Sequence, residues 1–277
     1  MRIDSHQHFW RYNRIEYGWM GDTLANLRRD FLPTDLKPLL AATDFDGTLA
    51  VQARQTLAET EWLLDLADRF DFIKGVVGWV DLRSPHVDAQ LDQVSRHPKL
   101  RGIRHVVHDE PDDRFMLGAD FLAGLNQLRG FGLTYDLLLL PRHLPIAAEV
   151  IRRFPRQHFV LDHIAKPPIK DHHIDAWERD LRQLAGFDNV FCKLSGMVTE
   201  ADWRQWQPGD FDPYLDIVFD AFGVERLMFG SDWPVCTVAA DYEQVVGLAE
   251  DYVARRAPHA HDAIFGGTAA TVYGLTK

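Results

Sequence analysis

The chain has 277 residues, 46% of them apolar, and a formal net charge of −11. That is ample material for one large core, and the acidic balance argues against nucleic acid, which wants a basic face. No apolar run reaches the roughly 18–20 residues of a membrane helix, so no membrane partner is expected. Cys192 and Cys236 give no disulfide framework and Met1–Trp10 carries no secretory pattern, so the expected setting is the cytoplasm.

Short β-rich runs alternate with amphipathic segments throughout. Strands are expected at Arg2–Ser5, Thr48–Gln52, Phe72–Val80, Leu100–Val106, Leu133–Leu137, Phe159–His163, Val190–Leu194 and Leu227–Gly230. Helical periodicity marks Thr56–Arg69, Val87–Arg96, Phe121–Gly130, Ile146–Phe154, Ala176–Ala185 and Tyr214–Phe222, as in Leu63, Leu66, Ala67 and Phe70. Eight strands separated by helices, with no linker, predict a single-domain α/β chain, a (β/α)₈ barrel spanning 1–277. A doubly wound sheet would usually show a Gly-rich phosphate turn, and neither G-x-G-x-x-G nor G-x-x-x-x-G-K-[ST] is present. Two insertions read as non-helical, Arg11–Pro33 and Ser195–Pro213, follow strand C-termini and are rich in Trp and charge. In a barrel that end is the catalytic face, so both are candidate lids.

Three clusters fall at expected strand ends. His6-Gln7-His8 puts two imidazoles on one side of an extended chain, able to share a metal ion or one substrate oxygen. Asp162-His163-Ile164-Ala165-Lys166 ends the sixth strand, and Gly230-Ser231-Asp232-Trp233-Pro234 ends the eighth. A carboxylate at Asp232 sits where a water-activating base is useful. Arg104 offers a planar fork for hydroxyls or a carboxylate, or else an ion pair inside the barrel. Tyr135 and Asp136 end the fifth strand and Lys193 the seventh, and alternation allows only about half of such residues to face the axis.

The stretches D-S-H-Q-H-F-W, L-D-H-I-A-K-P, F-C-K-L-S-G-M-V-T-E-A-D-W and F-G-S-D-W-P, in that order, resemble the sugar-lactonase branch of the amidohydrolase superfamily. The likeness runs from Met1 to Phe265-Gly266-Gly267-Thr268-Ala269-Ala270, where Thr268 replaces a common Asn, a change expected to be structural only. It implies opening of a small-molecule aldonolactone, L-fucono- or L-galactonolactone first. Asp232 would be the base on water, and His6, His8 and His163, with Lys166, would stabilise the oxyanion. Arg104, Lys166, Tyr135 and Trp233 would hold the sugar, helped by aromatics of the insertions. Metal-dependent members add two middle-strand histidines to H-x-H and the last Asp, and here only His163 is evident. The resemblance therefore implies no required cofactor: at most one zinc or other divalent ion on His6, His8, His163 and Asp232, not two. The alternatives are a metal-dependent decarboxylase of the same superfamily and a non-catalytic sugar-acid-binding barrel.

Overall fold

All eight expected strands are present in the computed structural model, which describes residues 1–276. They are β1 Ile3–Gln7, β2 Gly47–Val51, β3 Ile73–Gly78, β4 Leu100–His105, β5 Thr134–Leu137, β6 Phe159–Leu161, β7 Val190–Leu194 and β8 Leu227–Phe229. They pair in sequence order, every pair parallel. Closure runs past the strand ends: Asp232 N donates to His6 O at 2.8 Å, and His8 N to Trp233 O at 2.7 Å. The helices are α1 Pro33–Ala42, α2 Leu57–Arg69, α3 Val87–Val94, α4 Ala119–Leu128, α5 Leu144–Arg153, α6 Asp175–Ala185, α7 Met197–Glu200, α8 Asp212–Phe222, α9 Tyr242–Arg256 and α10 Thr268–Val272. No described helix is long and apolar enough to cross a membrane.

Local chemistry explains the helices. In α2, Thr56 Oγ1 caps the first turn by accepting from Glu59 N at 3.2 Å, and Leu63, Leu66 and Ala67 are buried at helical spacing. Asp241 and Gln244 cap α9 reciprocally. Most of the apolar core lies between strands and helices. A second cluster, including Ile3, Leu49, Val77, Val160 and Met228, is covered by α10 through Ala269 and Val272. Gly266 approaches Met1 O so closely that a Cβ would lie 2.1 Å from it, leaving no room for a side chain.

Most expected strand boundaries shift by one or two residues, and two of the shifts bear on the site. β1 runs on through His6 to Gln7, and β6 stops at Leu161, because His163, Ile164, Ala165 and Lys166 all take positive φ and cannot continue a strand. The insertion after β1 closes back on itself, Trp10 and Phe31 exchanging backbone hydrogen bonds of 3.0 and 2.9 Å. Neither insertion is devoid of helix: the first contains 3-10 helix at Asp22–Leu27, and the one after β7 contains α7 and a turn of 3-10 helix at Pro208–Asp210.

Glu59 anchors the loop after β2. Its Oε2 accepts from Ala53 N at 2.9 Å and Arg54 N at 2.7 Å, and Tyr17 of the first insertion reaches Oε1 at 3.4 Å. Burial drives its carboxyl from 4.5 up to about 7, against the lowering effect of the Arg54 amide and guanidinium. The folded chain therefore holds this proton more tightly than the unfolded one, so the group's contribution to stability falls as pH rises from about 4.5 to 7. Glu59→Gln, which does not ionise, should show a shallower drop in Tm between pH 5 and pH 8; slopes equal to the parent's would place that ionisation elsewhere.

Candidate functional site

The site begins with a break in β1. Ile3 joins the interior apolar cluster, yet His6, three residues on, also faces the barrel interior, which strict alternation forbids. A register shift between Asp4 and Gln7 resolves this. Asp4, next to the inward Ile3, faces the helix layer by ordinary alternation, and its carboxylate accepts there from His6 N at 3.1 Å, Ser231 N at 2.9 Å, Ser231 Oγ at 2.7 Å and Tyr242 OH at 3.1 Å. One carboxylate thus ties the end of β1 to the turn carrying Asp232. That turn is tight: Asp232 has φ of 58°, and a Cβ on Gly230 would lie 2.6 Å from His6 Cβ. Gly196, at φ of 62°, passes so close to His163 that a Cβ would lie 2.5 Å from Nδ1.

Beneath these groups lies a buried charge network. Asp162 Oδ1 is 3.0 Å from Lys193 Nζ and 3.2 Å from His6 Nδ1, and Oδ2 accepts from Arg104 Nη1 at 3.0 Å. Lys193 also donates to Asp136 Oδ2 at 2.6 Å, which Tyr273 OH reaches at 2.7 Å. Arg104 Nη2 donates to the Gln52 carbonyl, and Nη1 lies 3.3 Å from His6 Nε2. Burial alone would raise the Asp162 pKa, but Lys193, His6 and Arg104 hold it well below the ordinary carboxylate value. Burial pushes His6 and His163 well below the usual imidazole pKa, so both are neutral at pH 7.

Above the network, three donor atoms converge, on His6, His8 and Asp232, with His163 at their edge. His6 Nε2 and His8 Nε2 are 3.2 Å apart; Asp232 Oδ1 lies 3.4 Å from His8 Nε2, 3.8 Å from His6 Nε2 and 3.9 Å from His163 Nε2. A tetrahedral zinc with bonds of about 2.0–2.1 Å sets its ligands about 3.3–3.4 Å apart, close to this spacing. Proton placement agrees. His8 Nδ1 is 2.8 Å from the Val51 carbonyl, which only accepts, so the proton is on Nδ1 and Nε2 carries a lone pair. Burial raises the Asp232 pKa, but His163, His8 and Lys166 outweigh it and hold the group below the ordinary carboxylate value. An ionised oxygen therefore stands 3.4 Å from His8 Nε2, a spacing that a shared cation would fit. His6, His8 and Asp232 fit one divalent ion. The Arg104 guanidinium beside His6 supplies competing positive charge.

A cavity of about 290 Å³ opens over this centre, at the small end of the range for small-molecule sites, about 300–1,000 Å³. His8, Arg104, His163, Lys166 and Asp232 line it, with His6 buried at its base. Lys166 is tied to Glu200 of α7 at 2.6 Å. Arg104 takes both of its sequence readings, paired to Asp162 and facing the cavity. Two expected contacts do not reach the cavity. Tyr135 sits on the helix side of β5 between Phe121 and Phe159, because Asp136, next to it, takes the axial face. Trp233 packs edge-on against Phe9 and Phe31 beneath the first insertion. The aromatic wall is instead Trp10 and Trp19, while Trp203 borders a separate surface pocket. His108 and Asp109, in the turn Val107–Asp109 after β4, also line the cavity. Their only sequence signal is adjacency to a strand end. Lys193 had the same signal, but its partners come from other strands.

Residues 3–275 match the amidohydrolase family profile. An L-fucono-1,5-lactonase of Burkholderia multivorans is 44% identical over 288 aligned residues, covering 100% of this chain and 97% of that protein. One from Burkholderia ambifaria is 40% identical, covering 100% and 96%. A crystal structure of an amidohydrolase from Burkholderia multivorans with bound zinc superposes with a TM-score of 0.96 at 44% identity, covering 100% of both chains.

The network makes its own prediction. Lys193→Met removes the cation between two buried carboxylates, and breaking a buried pair from one side costs about 3–5 kcal/mol. Urea unfolding should show that loss; a change under about 1 kcal/mol would mean that the carboxylates are neutralised in another way.

Proposed function

The chain belongs to the amidohydrolase family, and we propose that it is a hydrolase that opens the ester ring of a sugar lactone to the aldonic acid. The observation that carries this reading is a buried, ionised Asp232 on the floor of a small cavity, beside three imidazoles and two cationic side chains. The full-length likeness to two L-fucono-1,5-lactonases supports it, and makes L-fucono- and L-galactono-lactones the first substrates to test. A non-catalytic binding barrel has no use for a carboxylate held ionised there, and nothing in the site favours decarboxylation.

In the mechanism, Asp232 accepts a proton from water as the oxygen attacks the lactone carbonyl. Negative charge develops on the carbonyl oxygen, and the N–H groups of Arg104 and Lys166 are the cavity's donors for it. The Nδ1–H of His8 is committed to the Val51 carbonyl and points away from the cavity. The tetrahedral intermediate collapses by breaking the bond to the ring oxygen, and Asp232 returns the proton to that alkoxide. His6, His8 and Asp232 would hold one divalent ion, with His163 beside them rather than among the three, and the zinc of the 44%-identical structure supports zinc as that ion. Such an ion supplies Lewis acidity, polarising an ester carbonyl and making water more acidic. Arg104 and Lys193 place positive charge beside His6, which supports one ion rather than two.

Acid release followed with a pH indicator across aldonolactones tests the reading. L-fucono- and L-galactonolactone should exceed pyrone dicarboxylate lactone in kcat/KM, and Asp232→Asn should lose about 10²–10⁴ in kcat. A preference for the dicarboxylate would contradict the substrate class, and a variant keeping over a tenth of kcat would remove Asp232 as the base. Elemental analysis should find no more than one divalent ion per chain. Because Arg104 and Lys166 remain as donors, chelation should lower kcat without bringing it down to the solvent rate; loss to that rate, restored only by zinc, would contradict their assigned share.

A further inference from the structure

The mechanism leaves two polar residues of the cavity wall unused. His108 and Asp109 follow β4 in a single turn of 3-10 helix, four and five residues beyond Arg104. The His108 side chain is 22% exposed and that of Asp109 68%, and His108 Nε2 lies 3.4 Å from Asp109 Oδ1. His108 Nδ1, by contrast, is buried without a hydrogen-bond partner. A proton on Nδ1 would be a buried, unsatisfied donor, whereas a proton on Nε2 faces a carboxylate. The tautomer is therefore Nε2–H, and the imidazole presents a donor next to the Asp109 acceptor. Protonation of both nitrogens is opposed by burial first and then by Lys166, Arg104, His143 and Arg142, which together bring the pKa down to about 3.

A donor and an acceptor side by side match the group that does both, an alcohol. We propose that His108 and Asp109 read a ring hydroxyl of the substrate, with Nε2–H donating to the hydroxyl oxygen and Asp109 accepting its proton. The pair would make the enzyme select polyhydroxylated lactones over bare rings, and the Asp109 charge would disfavour a carboxylated ring. This rests on the lactone-hydrolase reading above and adds to it the residues that set substrate class.

The test is a ratio: kcat/KM for L-fucono-1,5-lactone over that for δ-valerolactone, the same six-membered ring without hydroxyls. His108→Phe keeps the ring shape and removes the donor, and should cut the ratio by about tenfold or more. His108→Gln retains an N–H and should recover much of it. Asp109→Asn, at a largely exposed position where folding is not at stake, should also lower the ratio, mainly through KM for the sugar lactone. If His108→Phe and Asp109→Asn both leave the ratio within about twofold, whatever happens to the separate rates, the pair does not read a hydroxyl. If His108→Phe fails to fold, Asp109→Asn decides by the same criterion. A parent protein that opens neither lactone overturns the lactone reading and this inference with it, while a parent that opens both with an unchanged variant ratio overturns the inference alone.

Discussion

Asp162 has no surface open to water, and its carboxylate is shared among Lys193, Arg104 and His6, each from a different strand. A buried anion is tolerable only when paired, so β1, β4, β6 and β7 must arrive together for any of these charges to be compensated. The residues above depend on that arrangement. Arg104 is held so that one nitrogen faces Asp162 while the side chain still lines the cavity, and His6 is held with Nε2 toward His8. An apolar barrel centre would be no less stable on general grounds. What the ionic one adds here is a fixed rotamer for each group on the pocket floor.

The eight strands and their order were legible because buried parallel strands are short β-rich runs and the helices between them keep a clean period. His6 with His8, His163 and Asp232 were legible as a group because each sits at a strand end, the one place in a barrel where a polar cluster needs a functional reason. Facing direction was harder. Tyr135 and Asp136 are neighbours with opposite orientations, and nothing in their order says which one takes the axis. The bulge that puts Ile3 and His6 on the same side is equally silent in sequence. Lys193 reads as a strand-end cation, and its carboxylate partners at Asp136 and Asp162 emerge only when β5, β6 and β7 are laid side by side. Trp10 and Trp19 reach the cavity, whereas Trp203 does not, because the first insertion folds back through the Trp10–Phe31 bridge.

The division of labour in the cavity follows from which groups stand where. Imidazole nitrogens and a carboxylate oxygen gather at the centre, on His6, His8, His163 and Asp232, and N–H donors stand around it, on Arg104 and Lys166. Water and an electrophile want the first kind of partner, and a developing oxyanion wants the second. A lactone is more reactive than an amide, so modest stabilisation from each side suffices.

Opening the lactone in ¹⁸O-labelled water tests the central claim most directly. Attack at the carbonyl with Asp232 as base predicts one ¹⁸O in the new carboxylate and none in the hydroxyl formed from the ring oxygen, read by mass spectrometry or ¹³C isotope shift after one turnover. Label in that hydroxyl would mean cleavage of the alkyl–oxygen bond, and ring opening no faster than in buffer would mean no catalysis of this reaction; either result would contradict the account.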